Sequence, residues 1–404
     1  MTLERALALD AADPLAQYRA QFICPPGVIY LDGNSLGQMP LSTVTAGTEL
    51  LNHAWGQRLI RSWNEGWIDA PQRVGAMIAP LIGAEADEVI SADSTSVNLY
   101  KLIVAALRLN PSRKVVLSEA GNFPTDLHIA EGAVAAVAGA ELRVVERGAL
   151  ADALGDDTAL LMLTHVHYKT AERFDMAAWT KAAHDAGALV CWDLSHSAGA
   201  VAVELNAAGA DMAVGCGYKY LNGGPGAPAF LYVAKRWQEK MHNPLSGWMG
   251  HAAPFEFADA YEAAPGMTRW LTGTPVMLGL NALENGLKLW ADIDIKQVEA
   301  KSTALWDIFH AAGTAAGLEC VTPADPTKRG SHISFRHPHA YQIVQALIAK
   351  GVIGDFRDPD TLRFGLTPLT LSHADIWRAG QMMCDIVSGG EYLKPEFAVR
   401  YAVT

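Results

Sequence analysis

Between residues 90 and 235, short apolar runs alternate with alanine-rich helical stretches, a pattern that few architectures accommodate. Lys114–Leu117 (KVVL), Leu142–Val145 (LRVV), Ala159–Thr164 (ALLMLT), Leu189–Asp193 (LVCWD) and Asp211–Gly215 read as strands. Between them, Phe123–Ala138, Ala149–Leu154 and Met176–Ala186 read as helices, the last stopped by Gly187. A strand without polar alternation has no face to give to water. Near-continuous apolar strands separated by helices therefore predict a mainly parallel sheet covered on both sides.

The remainder of the chain reads differently. Residues 245–275 are rich in Gly, Pro and Trp (NPLSGWMGHAAPFEF, TRWLTGTP) and predict a long functional loop. A helix begins at Val276, with Leu287, Leu289 and Trp290 in its apolar stripe. The last hundred residues mix strands (SHISFRH, LRFGLTPL) with helices (AYQIVQALIAKG, ADIWRAGQMMCDIV). At 404 residues the chain exceeds what one core usually organises. The fold class expected is α/β: an N-terminal arm over 1–45, a large sheet-and-helix domain over 46–275 and a smaller α+β domain over 276–404.

Charge and cysteine usage narrow the function classes. Lys plus Arg number 31 against 43 Asp plus Glu, a formal charge of −12, which is no footprint for nucleic acid or an anionic membrane. Any anion the chain binds must be held by local donors. Five scattered cysteines and no CxxC argue against a disulfide framework or zinc ribbon. The first twenty residues lack the basic start and apolar core of a signal peptide. No apolar run approaches the ~20 residues of a membrane helix. A cytoplasmic protein is expected.

Four segments carry chemistry. In GCGYKYLNGGPGAP, Gly215–Pro228, Lys219 lies just beyond a strand end and before a glycine-rich turn. A loop lysine is commonly a solvated surface residue. Strand ends of α/β sheets, however, are where ligands bind, and a partly desolvated amine there suits Schiff-base chemistry. In WDLSHSAGA, Trp192–Ala200, Asp193 ends a buried strand; it can cap the next helix or face a cationic ring nitrogen such as that of pyridoxal phosphate, with His196 beside it. In SADSTSVNLYKLIVAAL, Ser91–Leu107, Thr95 and Ser96 open a helix; ordinary capping and an anion site are both compatible with that placement. In NFPTD, Asn122–Asp126, Phe123 stands at a proline-initiated turn, either a simple cap or an aromatic wall for a flat ring. None decides alone. Their order does more, with Lys219 coming 26 residues after Asp193.

The chain resembles kynureninase, a fold-type-I pyridoxal phosphate enzyme of the class V aminotransferase superfamily, almost end to end. LDGNSLGQMP, STSVNL, NFPTD, LTHVHYKT, WDLSHSAGAV, YKYLNGGPG, SGWMGH and GDFRDPDTLRFGLTPL occur in family order. The resemblance implies a homodimer with its active site at the subunit interface. It implies a C–C bond hydrolase that cleaves L-kynurenine to anthranilate and L-alanine in tryptophan catabolism. Lys219 would bind the cofactor aldehyde and Asp193 its ring nitrogen, with His196 alongside. Phe123 would stack on the ring, with Asp126 and Thr164 near it. Thr95, Ser96 and Tyr218 would hold the phosphate, joined by Trp248 and Thr274 of the other subunit, and Tyr218 is also a candidate proton relay. Arg363 would grip the substrate α-carboxylate through its fork, with Asn34 and Ser35 of the GNSLG segment at the substrate. Animal members carry Asn where Thr274 aligns. A Thr there, with Trp63 as an aromatic wall, fits preference for kynurenine over its 3-hydroxy form.

Rival readings are few. A cysteine desulfurase or a small aminotransferase would share the fold and the lysine, but desulfurases usually place His directly before it, where this chain has Tyr218. A nicotinamide dehydrogenase lacks its GxGxxG here. His165 and His167, or His332, His337 and His339, invite a metal site, but further ligands are not evident and none is expected. On a strand, His165 and His167 would share one face.

Overall fold

A computed structural model describes residues 1–401 of the chain. The central sheet has seven strands: β1 (Val89–Ser91), β2 (Val115–Glu119), β3 (Glu141–Val145), β4 (Thr158–Thr164), β5 (Leu189–Asp193), β6 (Met212–Gly215) and β7 (Phe230–Val233). Their spatial order is β1-β7-β6-β5-β4-β2-β3, parallel throughout except for β7, which runs antiparallel to both neighbours. The five strands read from sequence are all present. β1 and β7 are additions, and β7 makes the sheet mixed. It returns antiparallel because the glycine-rich connection after Lys219, residues 216–229, forms no helix that could carry the chain back across the sheet.

Alternation within each strand explains the double cover. Val115, Leu117, Leu161, Leu163, Val190 and Trp192 pack in one core, whereas Val116, Leu160, Met162, Cys191, Met212 and Val214 pack in another on the opposite face. Helices Thr95–Leu109, Pro124–Ala135 and Met176–Asp185 flank this sheet. The helix expected over Ala149–Leu154 is a single turn, Leu150–Ala153.

A second, antiparallel sheet of four strands lies later in the chain: β8 (Glu319–Cys320), β9 (His332–Arg336), β10 (Asp355–Arg357) and β11 (Thr361–Gly365), ordered β10-β11-β9-β8. It shares a core of Leu305, Phe309, Phe335, Ile343, Phe364 and Met383 with the helices Ile295–Ala315, Ala340–Ala349 and His373–Gly389.

The N-terminal segment ties the two sheets together. Ile29–Tyr30 pairs in parallel with Val352–Ile353. Further on, the Gly37 amide donates to the Tyr218 carbonyl at 2.8 Å. A Cβ on Gly37 would lie 2.1 Å from the Lys219 carbonyl oxygen, so only glycine lets the segment sit against the lysine loop.

Candidate active site

The carboxyl ends of β2, β4, β5 and β6 all open onto one cavity of about 600 Å³, the size range of small-molecule sites. Thr95, Ser96, Phe123, Asp126, Thr164, Asp193, His196, Tyr218, Lys219 and Ser35 line it. Residues far apart in the chain thus meet because parallel strands place their functional ends on one edge of the sheet.

Lys219 lies four residues beyond Gly215, the end of β6, and its Nζ lies 3.0 Å from Nε2 of His196 and 6.0 Å from the centre of the Phe123 ring. Asp193 closes β5; its Oδ1 accepts from the Ser195 amide at 2.8 Å and the Ser195 hydroxyl at 2.6 Å. Asp126, in the first turn of helix Pro124–Ala135, accepts on Oδ2 from the Thr164 hydroxyl at 3.2 Å. Both carboxyls are buried. Burial first, and then the Asp193 carboxyl, push Asp126 well above the usual carboxylate range. Burial raises Asp193 too, opposed by Ser195 and by the Lys219 charge. Two acids crowded into a dry pocket resist joint ionisation unless a cation joins them.

That donor set fits pyridoxal phosphate. A protonated ring nitrogen is the cation the acid pair lacks. The amine of Lys219 faces the same space, and Phe123 offers an aromatic wall, itself packed edge-on against Tyr168 at 5.2 Å. At one end stands the N-terminus of the 15-residue helix Thr95–Leu109, capped by Ser94, whose hydroxyl accepts from the Val97 amide. Such a terminus suits a phosphate. Burial raises the Tyr218 phenol, followed by Cys216 and Asp193, so it stays a hydrogen-bond donor at neutral pH.

The other residues named from the sequence lie outside the cavity wall, Trp248 and Thr274 among them as residues expected from the other subunit. Arg363 is 2% exposed, and its Nε donates to Asp355 Oδ1 at 2.8 Å while Nη2 pairs with Asp355 Oδ2. The fork assigned to a substrate carboxylate is thus taken by Asp355, because a buried guanidinium requires a carboxylate. Nη2 also donates to the Ser35 hydroxyl and Nη1 to the Tyr168 carbonyl, which holds Arg363 behind the cavity-lining Ser35 and Tyr168. Asn34 does not line the cavity and is buried against Gly365. Trp63 packs edge-on against Trp67 and does not line this cavity. Trp248 and Thr274 are exposed and outside it as well. β4 ends at Thr164, so His165 and His167 lie in the following loop; His165 pairs with the Ser197 hydroxyl and His167 with the Gly121 carbonyl. Among the described residues no group of three or more His, Cys, Asp or Glu is placed to hold a metal.

Sequence reasoning passed over Tyr168, Asp355 and Asp93. Tyr168 lies within LTHVHYKT and Asp355 within GDFRDPD, so both segments were visible, but their pairing with Phe123 and Arg363 exists only in three dimensions. Asp93 lines the cavity and pairs with the fully buried Lys101 at 2.5 Å, whose ammonium also donates to the Trp270 carbonyl.

Known proteins agree with this architecture. The apo cysteine desulfurase of Thermococcus onnurineus NA1 superposes with a TM-score of 0.80 at 18% identity, over 93% of this chain and 98% of its own. A C-DES mutant with glycine covalently linked to its PLP cofactor superposes at 0.78 with 17% identity, over 90% of this chain and 98% of its own. Fold and site together define a pyridoxal phosphate-dependent enzyme of fold type I. A family model for the kynureninase C-terminal domain matches residues 298–383. Kynureninase from Burkholderia mallei strain SAVP1 is 50% identical over the full length of both chains. That of Deinococcus radiodurans is 50% identical over 92% of this chain and 93% of its own. The chain belongs to the kynureninase family.

Proposed function

We propose that Lys219, Asp193 and Tyr218 carry the kynureninase reaction in this chain and that Arg363 orients its substrate. The reaction is hydrolysis of the Cβ–Cγ bond of L-kynurenine, giving anthranilate and L-alanine. The observation that carries the residue assignment is the meeting of one amine, Lys219, with a buried acid pair, Asp126 and Asp193, across a single cavity.

Bound there, pyridoxal phosphate supplies an electron sink for a carbanion at the substrate Cα. Thr95, Ser96 and Tyr218 would hold its phosphate. Asp193, fixed by Ser195, would pair with its ring nitrogen, and Asp126 would keep the pair's remaining proton. Lys219 takes the proton from Cα and later returns one to the product. Tyr218, kept protonated by burial, donates toward the oxygen at Cγ when water adds there. Arg363 would offer its remaining Nη1 hydrogen to the α-carboxylate, and the Ser35 hydroxyl, which donates to Asp355 Oδ2 at 3.1 Å, would turn to join it.

The desulfurase reading requires a thiolate that reaches the substrate. Cys216 lines the cavity, but burial pushes its thiol up and its Sγ contacts the Ser195 carbonyl at 3.8 Å, so it stays protonated.

The finer statements of assembly and place belong to the same proposal. The enzyme works as a dimer in which Trp248 and Thr274 reach the partner's phosphate site and Trp63 walls the partner's substrate. Supporting this, Leu41, Val44, Leu51, Trp55, Leu59, Ile60 and Leu278 are exposed on packed neighbouring elements, an apolar surface of the kind that marks an interface. No helix among the described residues is long and apolar enough to cross a membrane, and all five cysteines are free, which supports a reducing cytoplasm.

The test is turnover. With kynurenine and added cofactor, the wild-type chain should release fluorescent anthranilate and alanine in equal amounts, and Lys219→Ala should release neither. Sulfide release from cysteine without anthranilate from kynurenine would refute the reading.

A further inference from the structure

His332, at the start of β9, is 0% exposed, and neither ring nitrogen has a hydrogen-bond partner within the protein. Its ring centre lies 5.4 Å from that of His196, whose Nδ1 is likewise buried and unpartnered. In the β9–β11 register His332 sits opposite Gly365, and a Cβ on Gly365 would lie 2.1 Å from Asn34 Oδ1. Both polar atoms of the Asn34 amide are buried and unpartnered too. Three polar side chains on three segments thus converge with none of these five atoms satisfied. Native interiors rarely leave one such group unmade, at about 1–3 kcal/mol each. A buried water, which typically makes about three hydrogen bonds, is the ligand whose chemistry this seam demands.

The tautomer of His196 gives the water a consequence. The ammonium form of Lys219 has only donors, so at 3.0 Å it pairs with a bare Nε2, an arrangement that places the His196 proton on Nδ1. That Nδ1–H is buried in protein with no acceptor. We propose that His332 is a positioning residue that, through one buried water, locks His196 in the tautomer whose bare Nε2 faces the Lys219 amine. The water accepts from His196 Nδ1–H and donates to the bare nitrogen of His332, while the Asn34 amide takes part in holding both. Around this pair stand Lys219, Arg363, Arg357 and His167; burial first, then these charges, hold both imidazoles far below their usual range, so neither becomes cationic at neutral pH. Second-layer partners of this kind commonly decide which imidazole nitrogen works. The inference rests on Lys219 being the working amine.

Nitrogen NMR on the full-length, cofactor-free protein with ¹⁵N-labelled histidine tests it without turnover. The ring signals lost in His196→Gln should be those of the Nδ1–H tautomer. Finding Nε2–H instead overturns the proposal. His332→Leu should mix the two tautomers and speed acetylation of Lys219 at neutral pH by about ten-fold, one unit of proton affinity, whereas His332→Gln, which keeps a donor and an acceptor, should restore both to wild type. An unchanged tautomer and labelling rate in His332→Leu would overturn it equally. Should His332→Leu fail to fold, His332→Phe, which keeps a ring without its nitrogens, should show the same mixing and faster labelling, and an unchanged tautomer and rate there would overturn the proposal. Failure of the functional reading is a separate event: it would show as cofactor attached to a different lysine, with the His196 tautomer unaffected.

Discussion

Arg363 holds a full charge at 2% exposure, and Asp355 is what makes that possible. Removing one member of a buried pair typically costs about 3–5 kcal/mol, because the other is left uncompensated. Asp355→Ala should therefore lower Tm sharply in a thermal melt; an unchanged Tm would mean the pair is solvated. Asp32 adds a pH dependence to the same cluster. Burial, then the Asp355 carboxylate, push it up from 3.8 to about 7. Between those values the folded chain binds more protons than the unfolded one. This group's contribution to stability is therefore full below the lower value and is lost as pH rises through the upper one. The newly charged carboxylate also opposes an anion near Arg363. KM for kynurenine should rise as pH passes about 7 in the wild type and stay flat in Asp32→Asn, measured as KM against pH. At this scale the sequence was partly legible. Lys219 and Asp193 announced themselves because strand ends and glycine turns are local signals. Asp32, Asp355 and His332 did not, because their roles come from neighbours far along the chain or on another sheet.

Elements were read where pattern is strong. The apolar runs of β2, β4, β5 and β6 need burial on both faces, which nothing but a covered sheet provides, whereas β3, at the sheet edge, stays half exposed. β1 and β7 escaped notice because VIS and FLYV are short and abut the turns at Asp93 and Pro228, where local sequence favours loop as much as strand. The N-terminal segment is the element whose importance is easiest to test. Gly37→Ala places a methyl group against the Lys219 backbone, so the segment must lift away. A loss of ten-fold or more in kcat/KM is expected, on the order of what small misplacements near a reacting centre produce, with the central sheet intact by circular dichroism. Gly132→Ala, in the open on helix Pro124–Ala135, should leave activity unchanged and stabilise by up to about 1 kcal/mol. Equal effects of the two substitutions would show that Gly37 merely adds backbone freedom.

At the scale of the whole molecule, this chain by itself brings the amine, the acids and the helix terminus to the cavity, but leaves Trp63, Trp248 and Thr274 outside it. Sequence cannot display an interface, since exposed and buried apolar residues look alike in one dimension. Mixed chains test the proposed dimer. Lys219→Ala and Trp248→Ala chains, each impaired, should regain activity on mixing and exchange, because a hybrid of the proposed dimer would hold one site with both residues intact; no recovery would mean that Trp248 serves its own chain. All of this depends on the proposed role of Lys219, and peptide mapping of the holoenzyme after borohydride reduction tests it most directly. The reduced cofactor should be found on the peptide bearing Lys219 and be absent from every peptide of Lys219→Ala. Cofactor fixed to any other lysine in the wild type would contradict it.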